Sequence, residues 1–362
     1  MSPQAHVVAQ AGIEAIKKKG HPYLIFPEDF FMDTRQLSAA FANLISAESA
    51  DRIALTPSVS YGIANVAHNV KLEAGEKIIV VEEQFPSNIY AWQKLAAENN
   101  GQVIEIKAPS EHENRGKIWN ERILEATDAK TKVVALPHVH WADGTLFDLK
   151  AIRQAADNVG ALLIIDGTQS VGALPFNVQE IRPDALVCGG YKWLMGPYSL
   201  GVAYYSETFD QGSPIEENWI NRYNSEDFAG LVQYEERYQP MARRYSVGEQ
   251  SNFVLVPMLK AAIEMIANWK IEAIQQYCKS ITQTAVDELK EMGFQIEREP
   301  YRAHHLLGIR APRHVRIETL TDAFKANKIS VSVRGNALRV SPHVYNTSED
   351  LEKLIGCCKK TI

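Results

Sequence analysis

The chain has 362 residues, 46% of them apolar and 23% charged, with a formal charge of −6. This length exceeds one small core and points to two lobes; the composition is that of a soluble enzyme, and the negative balance argues against a nucleic-acid coat or a polybasic membrane surface. Four cysteines without a CxxC pair fit a reducing, cytoplasmic setting, MSPQAHVVAQ lacks a secretory pattern, and no apolar run reaches the roughly 18 residues of a membrane span.

Apolar periodicity predicts amphipathic helices over 5–19 and 35–48, separated by the irregular, aromatic HPYLIFPEDFF. The chain then alternates. DRIALTP reads as a strand and SYGIANVAHNVKL as a helix, KIIVVEEQFP as a strand and NIYAWQKLAAENN as a helix. QVIEIKA, TKVVALPHVH and ALLIIDGTQS read as further strands, with WNERILEATDA and DLKAIRQAADNVG as the helices between them. DALVCGG and SLGVAYY complete the series near residue 207. Strands alternating with helices of this length imply a parallel sheet with right-handed crossovers. Residues 208–248 are polar and aromatic with little regular core, which suits a site-covering or subunit-bridging region. Helices over about 253–270 and 271–292 follow, and the tail reads as a smaller α+β lobe.

Ligands of parallel sheets bind beyond the carboxyl ends of the strands. The polar or flat residues that fall there are Ser58 and Ser60, Phe85, His138 and His140, Asp166 and Gln169, and Tyr191 and Lys192. Asp166 ends the very apolar LLIID. It either caps the Asp-Gly turn or holds a heteroaromatic nitrogen protonated, since a carboxylate favours a cationic partner. Lys192, in GGYKWLMGP, is either a surface lysine snorkelling past aromatics or a partly desolvated amine suited to a Schiff base; the glycines favour close backbone approach to a ligand. Ser58 and Ser60 precede a helix whose free amides suit an anion, or Ser58 is a simple cap. Phe85 is equally a core aromatic or a stacking face. His138 and His140 point to opposite faces if the strand continues. With no HExxH or cysteine set, no metal site is expected, and His140 is placed to touch a cofactor or a substrate proton.

From HVHWADGTLFDLKAI through ALLIIDGTQSVGALPFNVQEIRPDALVCGGYKWLMGPYSLGVAYY the sequence closely resembles the class V aminotransferase family of pyridoxal-phosphate enzymes, which includes cysteine desulfurases, isopenicillin-N epimerase-like proteins and kynureninases. The resemblance runs from about residue 50 to the end. It implies the fold-type-I, aspartate-aminotransferase-like α/β architecture, a pyridoxal 5'-phosphate cofactor, a small amino acid or keto acid substrate and a homodimer with composite sites. The implied organisation is an N-terminal segment (1–35) joining the small domain or the subunit interface, a large cofactor-binding domain (36–248), and a linking helix with a small α+β domain (249–362).

By this resemblance Lys192 is the Schiff-base lysine, Asp166 pairs with the pyridine nitrogen, Gln169 contacts the phenolic oxygen and Phe85 stacks. Ser58, Val59 and Ser60 form the phosphate cup. Tyr191 replaces a histidine and reaches a phosphate oxygen, and Trp141 stands where desulfurases place an asparagine. Arg339 in LRVSPHVYNT clamps the substrate α-carboxylate, a task suited to a bidentate guanidinium. The segment RRYSVGEQSN reaches across the dimer; because Glu249 replaces the usual threonine, Gln250, Ser251 or Asn252 takes over the partner's phosphate. The chain passes from VSVRGNA directly to Arg339 without the catalytic-cysteine loop of desulfurases, and MSPQAHVV replaces the family's YLDNAAT-like opening. The favoured reaction is transamination through a Lys192 aldimine and a quinonoid intermediate, with Lys192 as the base for the α-proton. Epimerisation or β-elimination is the alternative, and the same residues serve each. His140, Trp141, Tyr61, Trp219, Asn221, Arg222 and Arg244 are candidate substrate contacts.

Overall fold

The computed structural model describes residues 1–110, 114–334 and 337–362. Helices α1 (His6–Lys19) and α2 (Met32–Leu44) precede β1 (Ile53–Thr56) and α3 (Val59–Asn69). The alternation continues with β2 (Lys77–Val81), α4 (Tyr90–Glu98), β3 (Gln102–Ile106), α5 (Arg115–Ala126) and β4 (Thr131–Pro137). Next come α6 (Leu149–Val159), β5 (Leu162–Asp166), the short α7 (Val178–Ile181), β6 (Ala185–Gly189) and β7 (Gly201–Tyr205). Capping sets these units locally. The Asp148 carboxylate accepts the Ala151 amide at the start of α6, and Gly160 ends the helix at φ 70°, a conformation natural to glycine.

The seven strands lie in the order β1-β7-β6-β5-β4-β2-β3. All neighbours run parallel except β7, which is antiparallel to both β1 and β6. The sheet is thus mostly parallel, as expected, with one reversed strand. No helix separates β6 from β7, so the chain simply turns back, which an antiparallel pair allows and a parallel pair does not. Strand residues alternate between two cores, as required of a sheet covered on both faces. Val134, Leu136, Leu163 and Ile165 enter one core with α2, α5, α6 and the long helix α8 (Leu255–Trp269). Val133, Ala135 and Ile164 enter the other with α3 and α4.

The C-terminal lobe contains α9 (Ile271–Glu291), β8 (Gln295–Ile296), β9 (Leu307–Arg310), α10 (Ile317–Ala326), β10 (Ser332–Arg334), β11 (Ala337–Val340) and α11 (Ser348–Thr361). Its four strands pair in the order β10-β11-β9-β8, and their apolar face packs with α9 and α11. A bridging cluster of Trp193, Met195, Ile266, Ile274, Cys278 and Leu306 joins this lobe to the large sheet. Within residues 1–35, α1 lies chiefly along α8. Between β7 and α8 the chain forms turns, short 3-10 segments such as Gly230–Val232 and Met241–Tyr245, and an isolated bridge between Arg222 and Tyr238.

Candidate active site

A cavity of ≈ 350 Å³ opens at the carboxyl edge of β1, β2, β4, β5 and β6. It is lined by Ser58, Val59, Ser60, Phe85, Trp141, Asp166, Gln169, Tyr191 and Lys192, with Thr168, Tyr198 and Ser199 among its other walls. Beta strands β4 and β5 stop at Pro137 and Asp166, so the HVH and GTQS ends of the expected strands become the loops that build the site.

Asp166 is buried, at 8% exposure. One oxygen accepts the Thr168 amide at 3.0 Å, while the Thr168 hydroxyl accepts the Gly189 amide at 3.1 Å, so neighbouring strand ends hold the acid in place. Both turn and site readings of this residue therefore have a physical basis. Burial raises the Asp166 pKa above the usual carboxylate value, against the lowering effects of Thr168 and the Lys192 charge. Lys192 makes no hydrogen bond or ion pair among the described residues; its amine lies 5.4 Å from the Phe85 ring centroid and 5.7 Å from that of Tyr191. Burial lowers its pKa, Arg339 and Arg334 act in the same direction, and Asp166 opposes them.

The glycines around Lys192 serve packing more than ligand approach. A Cβ on Gly190 would stand 2.5 Å from the Leu200 carbonyl oxygen, and one on Gly196 would meet Leu259 of α8 at 2.4 Å. Backbone bonds from Gly190 to Leu200 (2.9 Å) and from Gly196 to Gly190 (2.8 Å) close the loop.

Ser58 caps α3, accepting the Tyr61 amide at 3.2 Å, and its hydroxyl lies 2.9 Å from that of Ser60. The Val59 and Ser60 amides open the helix and have no intrahelical acceptor. The Gln169 side-chain oxygen accepts the Trp193 indole N–H at 3.0 Å, which leaves its NH2 as the donor available to the cavity. The Trp141 ring stands edge-on to Phe85 at 5.4 Å, but its N–H donates to the Glu83 carbonyl at 2.6 Å. Trp141 thus supplies an apolar wall instead of the side-chain donor that an asparagine would give. Arg339 reaches back from β11 and donates from Nη1 to the Trp141 carbonyl at 2.7 Å. Together with Lys192, Gln169, Met1, Ser2 and Tyr345 it lines a ≈ 70 Å³ recess beside the main cavity. The replaced opening stretch therefore lies at the mouth, where the Ser2 amide donates to the Tyr191 carbonyl at 3.4 Å.

His140 does not line the cavity. It is fully buried, with Nδ1 3.2 Å from Asp143 Oδ1 and Nε2 3.0 Å from the Glu82 carbonyl oxygen. Beyond Pro137 the strand alternation ends, and Asp143 binds the turn through His140 and the Thr145 amide. Asp143 also receives Arg115 Nε at 3.0 Å and Arg310 Nη2 at 2.8 Å. His140 and these cations hold its carboxyl well below the usual range despite burial, which acts the other way.

His138 is also buried, and burial lowers its pKa to about 3. It faces a different cavity, with Phe176 and Tyr301. Ser251 and Asn252 lie outside this chain's cavity; the Asn252 side chain caps α8 through the Leu255 amide at 2.9 Å. Of the proposed substrate contacts, Tyr61 donates to Glu216 at 2.7 Å, and Trp219 and Arg222 line a separate groove. Asn221 donates to the Ser246 carbonyl and Arg244 to that of Gly212, at 2.5 and 2.9 Å. Gly335 and Asn336, within VSVRGNA, lie outside the described residues. Among those described, no His, Cys, Asp or Glu group could hold a metal, and no helix is long and apolar enough to cross a membrane.

The class-V aminotransferase family model matches residues 28–354. The chain belongs to the class V aminotransferase family. An uncharacterized aminotransferase, YcbU of Bacillus subtilis, is 29% identical over 87% of this chain and 80% of its own length. A cysteine desulfurase of Thermococcus onnurineus superposes with a TM-score of 0.83 at 20% identity, covering 99% of this chain and 92% of that one. A lysine-to-alanine variant of C-DES, with glycine covalently linked to its PLP cofactor, gives 0.85 at 16% identity, covering 98% and 92%. These likenesses establish the fold-type-I architecture.

Class V membership implies pyridoxal 5'-phosphate, and the site fits it. A flat aldehyde with a cationic ring nitrogen and a phosphate needs an amine, a buried acid and an anion cup around one cavity. Lys192, Asp166 and the start of α3 line such a cavity, and no ion pair joins the amine to the acid among the described residues. Sequence reasoning missed Thr168, Tyr198 and Ser199 among the lining residues. Thr168 and the Tyr198-Ser199 pair lie inside stretches already singled out, so their signal was proximity in the chain.

Proposed function

We propose that this chain is a PLP-dependent aminotransferase acting at the α-carbon of a small amino acid. The observation that carries the reading is a desolvated Lys192, without a hydrogen bond or ion pair among the described residues, facing a cavity that also contains the buried Asp166, with Arg339 at its mouth. The bound cofactor supplies an electron sink for cleavage at the α-carbon. Asp166 would keep the pyridine nitrogen protonated, and Gln169 would donate to the ring oxygen. The Val59 and Ser60 amides, with the Ser60 and Tyr191 hydroxyls, would hold the phosphate. Phe85 and Trp141 would exclude water from the ring faces. Arg339 would fix the α-carboxylate by paired hydrogen bonds, and Lys192, its neutral form favoured by burial, would take the α-proton. His140 acts on none of these atoms. Its role is positional, through the Asp143 turn.

Persulfide chemistry lacks a reagent here. All four cysteines are buried and none lines the cavity, and burial raises the Cys188 and Cys278 thiols above their ordinary value. Ser251 and Asn252 of one protomer would serve the phosphate of its partner in a homodimer, as the resemblance implies, and the setting would be cytoplasmic.

The test is an amino-donor screen on purified protein, following cofactor absorbance and identifying products. The expected result is keto acid with the amine form of the cofactor. Lys192→Ala should retain cofactor without a borohydride-reducible protein adduct and lose at least about 10²-fold in turnover. An adduct that persists in this variant, or substrate returned as its inverted amine, overturns the reading.

A further inference from the structure

The β10–β11 hairpin pairs Ser332 with Arg339 and Arg334 with Ala337. Residues opposite one another, and those two apart along a strand, share a face. Arg334 and Arg339 are therefore diagonal neighbours on one face. Both meet Trp141: the Arg334 guanidinium lies 5.3 Å from its ring centroid, and Arg339 is bonded to its carbonyl. The polar contact of the Arg334 side chain is the adjacent Val333 carbonyl at 2.7 Å. Neither arginine meets a carboxylate among the described residues, and the Nε of each is buried without a partner. Two like charges on one strand face repel, and buried guanidinium donors without acceptors are costly. Arg339 alone accounts for an α-carboxylate.

We infer that Arg334 forms a second anion subsite, so that the substrate is a dicarboxylic amino acid or keto acid with its α-carboxylate on Arg339 and its distal carboxylate on Arg334. This rests on the proposed function for the assignment of Arg339 to the α-carboxylate. Diagonal neighbours on an antiparallel pair stand roughly 7–8 Å apart, which suits two anions joined by a short carbon chain better than one carboxylate bridging both. The Trp141 ring backs the Arg334 guanidinium and the Trp141 carbonyl holds that of Arg339, so one residue sets the position of both charges.

The test is calorimetric titration of the cofactor-loaded protein with succinate, glutarate and the monoanion butyrate. The wild type should bind at least one dianion about ten-fold more tightly than butyrate, the effect of one added charge-assisted contact. Arg334→Gln should bring the dianion down to butyrate-like affinity while leaving butyrate within about two-fold, and Arg334→Lys should restore part of the preference. Arg339→Gln should weaken both ligand types. Equal wild-type affinity for mono- and dianions, or parallel losses for both ligands in Arg334→Gln, overturns the inference. Bound cofactor and the reducible adduct at Lys192 are scored separately. If they are absent while Arg334 still sets the dianion preference, the proposed function falls and the subsite stands.

Discussion

The Asp143 turn and the Lys192 cavity are built from neighbouring loops of the same sheet edge, yet they treat charge in opposite ways. Asp143 is nearly enclosed, with Arg115 from α5 on one side and Arg310 from β9 on the other. It thereby joins the large sheet to the small lobe, and a Cβ on Gly308 would sit 1.9 Å from the Asp143 carbonyl oxygen, so the two surfaces touch backbone to backbone. The cavity instead collects a buried acid and a partly buried amine, with the Arg339 guanidinium in the adjoining recess, and these form no ion pairs among the described residues. A satisfied cluster holds structure. An unsatisfied one implies groups that arrive from outside.

Three measurements sharpen or break this contrast. The largest effect belongs to the satisfied cluster. Asp143→Ala leaves two largely buried guanidinium groups without their acid and should cost about 3–5 kcal/mol in urea unfolding, while Asp143→Asn, which keeps the shape and the turn acceptor, should cost less. A loss under about 1 kcal/mol in the alanine variant would mean that the cluster is not a structural joint.

The cavity should respond with the opposite sign. In cofactor-free protein, Lys192→Met should stabilise by about 1 kcal/mol at neutral pH, as removing function-bound strain often does. The folded-state pKa of Lys192 is lowered, so the wild-type penalty is complete below that pKa and disappears above the ordinary lysine value of 10.5. The stabilisation should fade over that interval, and a gain independent of pH would assign it to packing.

The smallest effect at neutral pH concerns His343, which packs near Trp193 and whose two ring nitrogens have no hydrogen-bond partner among the described residues. Burial lowers its pKa to about 4. Its contribution is complete above the ordinary value of 6.5 and is lost as the pH falls through about 4. His343→Phe should leave stability at pH 7 within about 0.5 kcal/mol and flatten the acid limb of a pH series of urea melts. An unchanged limb would show that this imidazole does not stay neutral in the fold.

Local patterns made most of the architecture legible. Apolar runs such as LLIID and VVALP, with amphipathic helices between them, predict covered strands, and their polar ends predict where a ligand cavity forms. Asp166, Gln169 and Lys192 come together because each ends or follows a neighbouring strand. What local sequence does not carry concerns partners distant in the chain. The tie of His140 to the Asp143 turn is hidden because Arg115 and Arg310, which fix Asp143, have no local signature there. The reversal of β7 was hidden because a strand sequence does not state its direction. Arg334 was legible only after the hairpin register had been drawn, since its relation to Arg339 is one of shared face and not of spacing alone.

The return of the chain through β7 also sets what can move. The segment bearing Lys192 is tied at both ends to adjoining strands and pressed against α8, so its main chain has little freedom to swing. Any travel of the amine is left to its methylene stem. In the proposed reaction the slow event would then lie elsewhere, in bond making or in the escape of product past the arginine hairpin.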